Sequence, residues 1–128
     1  VSQIYVVRKD SLKTDRAKIK AILAADIKGW HDSLKDPTAG PNLAVTKYGP
    51  DLGLDQAEQT LESNAQNTLI LTPETKANGI LTMTPALQAA TIKTLALGGT
   101  KIKAKDLFDL SILSEVYAKT PSLKTSPV

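Results

Sequence analysis

His31 is the only histidine in the chain, so any acid–base or metal chemistry of the imidazole kind must start there. It follows Trp30 in the closing turns of a helical stretch with an aspartate on either side. A catalytic or ligating His needs partners, and a single His near a helix C-terminus is explained by the favourable charge–dipole contact alone. Trp30 falls on the apolar stripe of the same stretch, which assigns it to packing. Ser11, Ser33, Ser63, Ser111 and Ser114 stand in no nucleophile-elbow context, and one His gives them no Ser-His-Asp arrangement to join. Gly98-Gly99 lacks the spaced glycines and following Lys of a phosphate loop. Asp106 and Asp109 are three apart and share a helical face, but Asp109 is better used as a helix cap. Cysteine is absent, which removes disulfides, thiolate metal sites and Cys nucleophiles. These residues make a poor enzyme and no metal cage, and they call for no cofactor.

Composition sets the outer bounds. A chain of 128 residues can close one domain, burying roughly two-thirds of its unfolded surface. Its 41% apolar content is carried by aliphatics, with one Trp, one Phe and three Tyr, too few aromatics for a base- or sugar-stacking module. The net charge of +3 and pI near 9.1 invite a nucleic-acid reading, but the charge is not concentrated. Lysines of the first 35 residues alternate with Asp10, Asp15, Asp26 and Asp32 around all sides of a helix, which makes a solvated face and no phosphate stripe. No apolar run approaches the roughly 20 residues that span a bilayer, and the first residues do not read as a signal peptide. The opening without Met, directly in an extended stretch, is how a processed or excised piece begins.

The elements that would position these residues read mainly as helices. Ile4-Tyr5-Val6-Val7 is β-branched and aromatic and reads as a short strand covered on both faces. A long helix from Thr14 or Asp15 to Leu34 carries Ile19, Ile22, Leu23, Ile27, Trp30 and Leu34 at helical spacing, and Asp36-Pro37 ends it. Pro41 opens a short helix that closes at Gly49-Pro50. Asp55 with Glu58 makes a capping box for a helix over about 56–67, whose sparse apolar face is Ala57, Leu61 and Ala65. Thr72-Pro73-Glu74-Thr75 begins a short turn that Asn78-Gly79 breaks. The best-specified helix follows. Thr84 caps it, Pro85 takes its first position, and Gly98 is read as the left-handed stop. Its apolar residues run almost all the way round, which predicts a helix wedged between neighbours. A turn near 105–108 and a helix over about 110–118 with Asp109 as cap complete the folded part. Residues 119–128 read as a disordered tail.

The succession of segments resembles a known family. Tyr-Val-Val-Arg-Lys-Asp-Ser-Leu, a long helix ending Gly-Trp-His-Asp-Ser-Leu, and Tyr-Gly-Pro-Asp-Leu-Gly-Leu-Asp-Gln-Ala-Glu-Gln follow one another. Asn-Gly-Ile-Leu-Thr-Met-Thr-Pro and Lys-Asp-Leu-Phe-Asp-Leu-Ser-Ile-Leu-Ser-Glu-Val-Tyr come later. This order is similar to the C-terminal portion of periplasmic substrate-binding proteins of ABC importers, in the group handling sulfonates, nitrate, taurine and thiamine-pyrimidine compounds. The resemblance covers residues 3–118. It implies that the chain is part of an α/β two-lobe fold of which it supplies about five helices and one or two short strands, the strand at Ile4–Val7 being the return from the second lobe to the first. It also implies a small polar or anionic organic solute in the cleft, an ABC importer membrane permease as partner, and an exported location, periplasmic or lipid-anchored. On this resemblance the ligand-binding candidates are Tyr5, Asn78, Thr82 and Thr84, with Ser2 and Gln3 beside Tyr5. Local roles compete for two of them, since Asn78 suits a turn before Gly79 and Thr84 a cap.

Two other functions fit the same residues. One is a small helical scaffold that self-associates through exposed apolar faces, and the chain folded alone is expected to pair with another copy as a homodimer through its uncovered surfaces, including the strand edge at Ile4–Val7. The other is a piece of the thiamine-pyrimidine synthase type of enzyme, whose chemistry needs His and Cys residues that this chain does not have.

Overall fold

A computed structural model describes residues 4–128. The helices are α1 (Ser11–Thr14), α2 (Arg16–Lys35), α3 (Ala39–Leu43), α4 (Gln56–Ile70), α5 (Pro73–Asn78), α6 (Pro85–Leu97), α7 (Ala104–Leu107) and α8 (Ser111–Lys119). A π turn (Ala44–Tyr48) and two 3₁₀ turns (Pro50–Leu52 and Pro121–Leu123) join them.

About 70% of the structure is helical and the described residues form no strand, so the expectation of an α/β two-lobe architecture with short strands is overturned. Ile4–Val7 is an irregular segment, with Ile4 69% and Val6 83% exposed. The physical reason is that β-branched side chains favour a pleated surface only where a neighbouring strand completes the ladder, and the described residues supply none. The strand edge counted among the surfaces for pairing with a second copy is therefore not formed.

The centre of the fold is the crossing of α2 and α8. Ile27 from α2 is fully buried against Leu113, Val116 and Tyr117 of α8, and Ile80 from the loop after α5 closes the cluster. Leu23, Trp30, Ile70, Leu81 and Leu123 pack around it half-buried. Trp30 is thus a packing residue. Leu123 lies in the segment read as a free tail, where Pro121–Leu123 turns back onto α2 and α8. The crossing is pinned at its open side by charge. Arg16 Nε donates to Glu115 Oε1 at 2.9 Å, Arg16 also reaches Ser111 Oγ at 3.0 Å, and Lys20 pairs with the other Glu115 oxygen.

Most helix ends follow the side chains expected to set them. Asp55 accepts from Glu58 N–H at 2.9 Å and Thr84 accepts from Leu87 N–H at 3.3 Å. The left-handed stop of α6 is Gly99 (φ +85°), one residue later than expected, while Gly98 stays at φ −82°. Thr100 N–H reaches Leu95 O at 2.9 Å across this glycine, and Gly99 N–H reaches Ala96 O at 3.1 Å, so both of these late carbonyls are satisfied. Asp109 accepts from Ser111 N–H at 2.8 Å from a position just outside α8, whose cap is Leu110.

Two helices depart from expectation in how they pack. α6 is apolar nearly all round yet contains no buried residue, and it rests on α7 alone among the principal helix contacts. It is not wedged between neighbours. α4 leaves its apolar stripe outside: Ala57, Leu61, Ala65 and Leu69 are exposed, while Gln59, Ser63, Gln66 and Asn67 are half-buried. The chain exposes 8896 Å² in all, against roughly 6,600 Å² for a closed monomer of 13.7 kDa.

Candidate functional site

The loop that joins α5 to α6 is built over a tyrosine. Gly79 has φ +93°, a region open to glycine, and a Cβ there would stand 2.8 Å from the Tyr117 ring and hydroxyl. The Tyr117 hydroxyl donates to the carbonyl of Ile80. Burial pushes this phenol up to about 12, so it holds its proton and remains a donor. Leu81 then takes φ +62°, the one non-glycine residue with positive φ among those described. Such a conformation costs on the order of 1 kcal/mol or more for a side chain of this kind and is held by the contacts around it. Thr82 Oγ1 donates to Gly79 O at 2.5 Å, and Gln88 Nε2 to Met83 O at 3.1 Å.

The result is a shallow depression of about 540 Å³ between this loop and α8. Asn78, Thr82 and Thr84 line one side, Leu113, Ser114 and Tyr117 line the other, and Lys124 closes one end. Three of the four ligand-binding candidates therefore come together here. Local bonds already occupy each of them in part: Asn78 Nδ2 donates to Glu74 O at 3.1 Å, Thr82 to Gly79 O, and Thr84 accepts from Leu87 N–H. Ser114 Oγ donates to Leu110 O at 3.0 Å. The Asn78 carbonyl oxygen, the Thr84 hydroxyl proton and the Lys124 ammonium make none of the side-chain bonds of this loop and remain for a bound molecule. Such a site can orient a polar solute and offer one positive charge to it.

Tyr5 is elsewhere. It stands beside Asp26 of α2, and burial first, then the Asp26 carboxylate, raise its hydroxyl to about 12. Ser2 and Gln3 lie outside the described residues. Tyr117, Ser114 and Lys124 are the contributors that residue patterns did not single out as site residues. Tyr117 reads as one more apolar position of α8, and Lys124 as part of a tail. The available signal was Gly79 directly before an apolar Ile80, which marks a close backbone approach.

A second depression, of about 490 Å³, lies between the end of α6 and α7, with Ile92, Ala96 and Ile102 under Lys101, Lys103 and Asp106. His31 is 8% exposed, and burial first, then Lys35, hold its pKa below the usual value against the opposing pull of Asp32. No group of three or more His, Cys, Asp or Glu able to hold a metal occurs among the described residues. Asp109 is engaged with Ser111, through N–H and through Oγ at 2.6 Å. Among the described residues no helix is long and apolar enough to cross a membrane.

Compared with protein-family models, with curated proteins and with solved structures, the chain matches none.

Proposed function

We propose that the chain serves in the solute-binding component of a bacterial ABC import system, taking a small polar or anionic organic solute at the depression between the α5–α6 loop and α8. The observation that carries this reading is the convergence of Asn78, Thr82 and Thr84, the positions at which the family resemblance expects ligand contact, on one depression with Lys124 at its end. Apolar walls with a few convergent polar groups are the usual make-up of a small-molecule site. The role is binding without turnover and without cofactor or nucleic acid. The membrane permease of the importer is the partner, and the place of action is the periplasm or, for an exported and lipid-anchored protein, the outer side of the cell membrane.

A panel of small carboxylates, sulfonates and nitrogen heterocycles, titrated into the protein and read by calorimetry, tests this. Saturable binding that weakens on Lys124→Gln and on Thr82→Val supports it. Heats that are absent across the panel, or that both substitutions leave unchanged, count against it.

A further inference from the structure

We propose that two copies of this chain associate by laying α4 of each against α6 of the other. The inference is independent of the solute-binding reading, since neither helix body enters that depression beyond the first residues of α6.

α4 leaves its apolar stripe uncovered. Gln59, Ser63, Gln66 and Asn67 are half-buried on the helix, which packs on α3 and the π turn, and Asn67 Oδ1 is shielded without a hydrogen-bond partner. Its apolar stripe, Ala57, Leu61, Ala65 and Leu69, recurs every four residues on the solvent side, with Leu61 70% and Leu69 71% exposed. A four-residue repeat is one ridge of a helix, and a ridge needs a groove. α6 supplies one in its first half: Ala86 and Ala90 lie on an exposed face with Lys93 and Leu97 beyond them, and the two alanines leave room for a large side chain. The two helices run about 20 Å each by the rise of an α-helix, so their faces match in length.

Charge selects the pairing. α4 carries Glu58 and Glu62 and no basic residue, whereas α6 carries Lys93 and no acidic one. Set antiparallel, the helices bring Leu69 over Ala86, Ala65 beside Ala90 and Glu62 beside Lys93. A two-fold axis makes the same contact twice. Area permits it, because the chain exposes roughly 2,300 Å² more than a closed monomer of its mass, and a stable dimer needs about 800 Å² from each partner.

Sedimentation velocity on the chain tests the proposal. The protein should run as a dimer at tens of micromolar, and Leu61→Asp should weaken association about tenfold or more while the circular dichroism of the helices is kept, because Leu61 is 70% exposed in its own chain. Lys93→Glu should weaken it as well, and adding Glu62→Lys should restore it. A monomer at all concentrations overturns the proposal, as does a dimer that neither Leu61→Asp nor Lys93→Glu weakens. The chain has no cysteine, so a mixture of Leu69→Cys and Ala86→Cys proteins in oxidised glutathione can join only through those positions. A disulfide between the two supports the antiparallel register. An associated mixture that gives no mixed disulfide overturns it.

Discussion

Tyr117 of α8 donates its phenolic proton to the carbonyl of Ile80, 37 residues earlier in the chain, and Gly79 lies flat against the same ring. This single contact joins the core to the loop that carries the candidate ligand residues. It makes the geometry of Thr82 and Thr84 depend on a side chain buried beneath them.

Removing the hydroxyl should loosen the loop without emptying the core. Tyr117→Phe leaves the ring in place and a shielded carbonyl unpaired, at a cost of about 1–2 kcal/mol. Urea denaturation followed by far-UV circular dichroism checks the magnitude. Backbone hydrogen exchange at Ile80–Thr82 should quicken more than exchange in α2.

Gly79→Ala should be the more damaging change. The new methyl meets the Tyr117 ring at 2.8 Å and the backbone must also hold a positive φ. Both penalties act together, so the loss should exceed about 2 kcal/mol, visible as a lowered melting temperature. Gly53, which has positive φ but open space around it, is the control. Its alanine variant should lose about 1 kcal/mol.

His31 predicts a pH window. Its folded pKa lies below 6.5, so between the two values the unfolded chain binds more protons than the folded one. The contribution is fully present above 6.5 and is lost as pH falls through the folded value. Glu115 acts in a lower window, because Arg16 first and Lys20 second hold it near 2, below its usual 4.5. Stability from that pair is complete above 4.5 and fades toward 2. Denaturation curves at a series of pH values should show the first step disappear in His31→Gln and the second in Glu115→Gln.

Thr84 separates a structural role from a binding role. Thr84→Ala removes the cap of α6 and should cost about 1 kcal/mol in chemical denaturation. Thr84→Ser keeps the cap and the hydroxyl, so it should retain both stability and any ligand affinity that alanine loses.

The sequence made legible what local chemistry decides. Thr84-Pro85, Asp55 and Asp36-Pro37 act where their side chains and rings must act, and the stripe from Leu23 to Leu34 marks the buried side of α2. What depends on distant partners was not legible. Ile4–Val7 has the residues of a strand but no neighbour to pair with. α6 has the residues of a buried helix but no second layer over it. Leu61 and Leu69 repeat at helical spacing, which says that they share a face and not which way that face points. At the depression, Asn78, Thr82 and Thr84 could be proposed from the resemblance, but their meeting with Lys124 rests on Leu123 folding back onto the core.

The central claim is that the depression over Tyr117 binds a small solute. A nitrogen-15 chemical-shift titration with the compound that binds most tightly in calorimetry tests it most directly. Saturable shifts confined to Asn78, Thr82, Thr84, Ser114 and Lys124 are expected. Saturable shifts that cluster elsewhere, at the α6–α7 depression or around Tyr5, would contradict it.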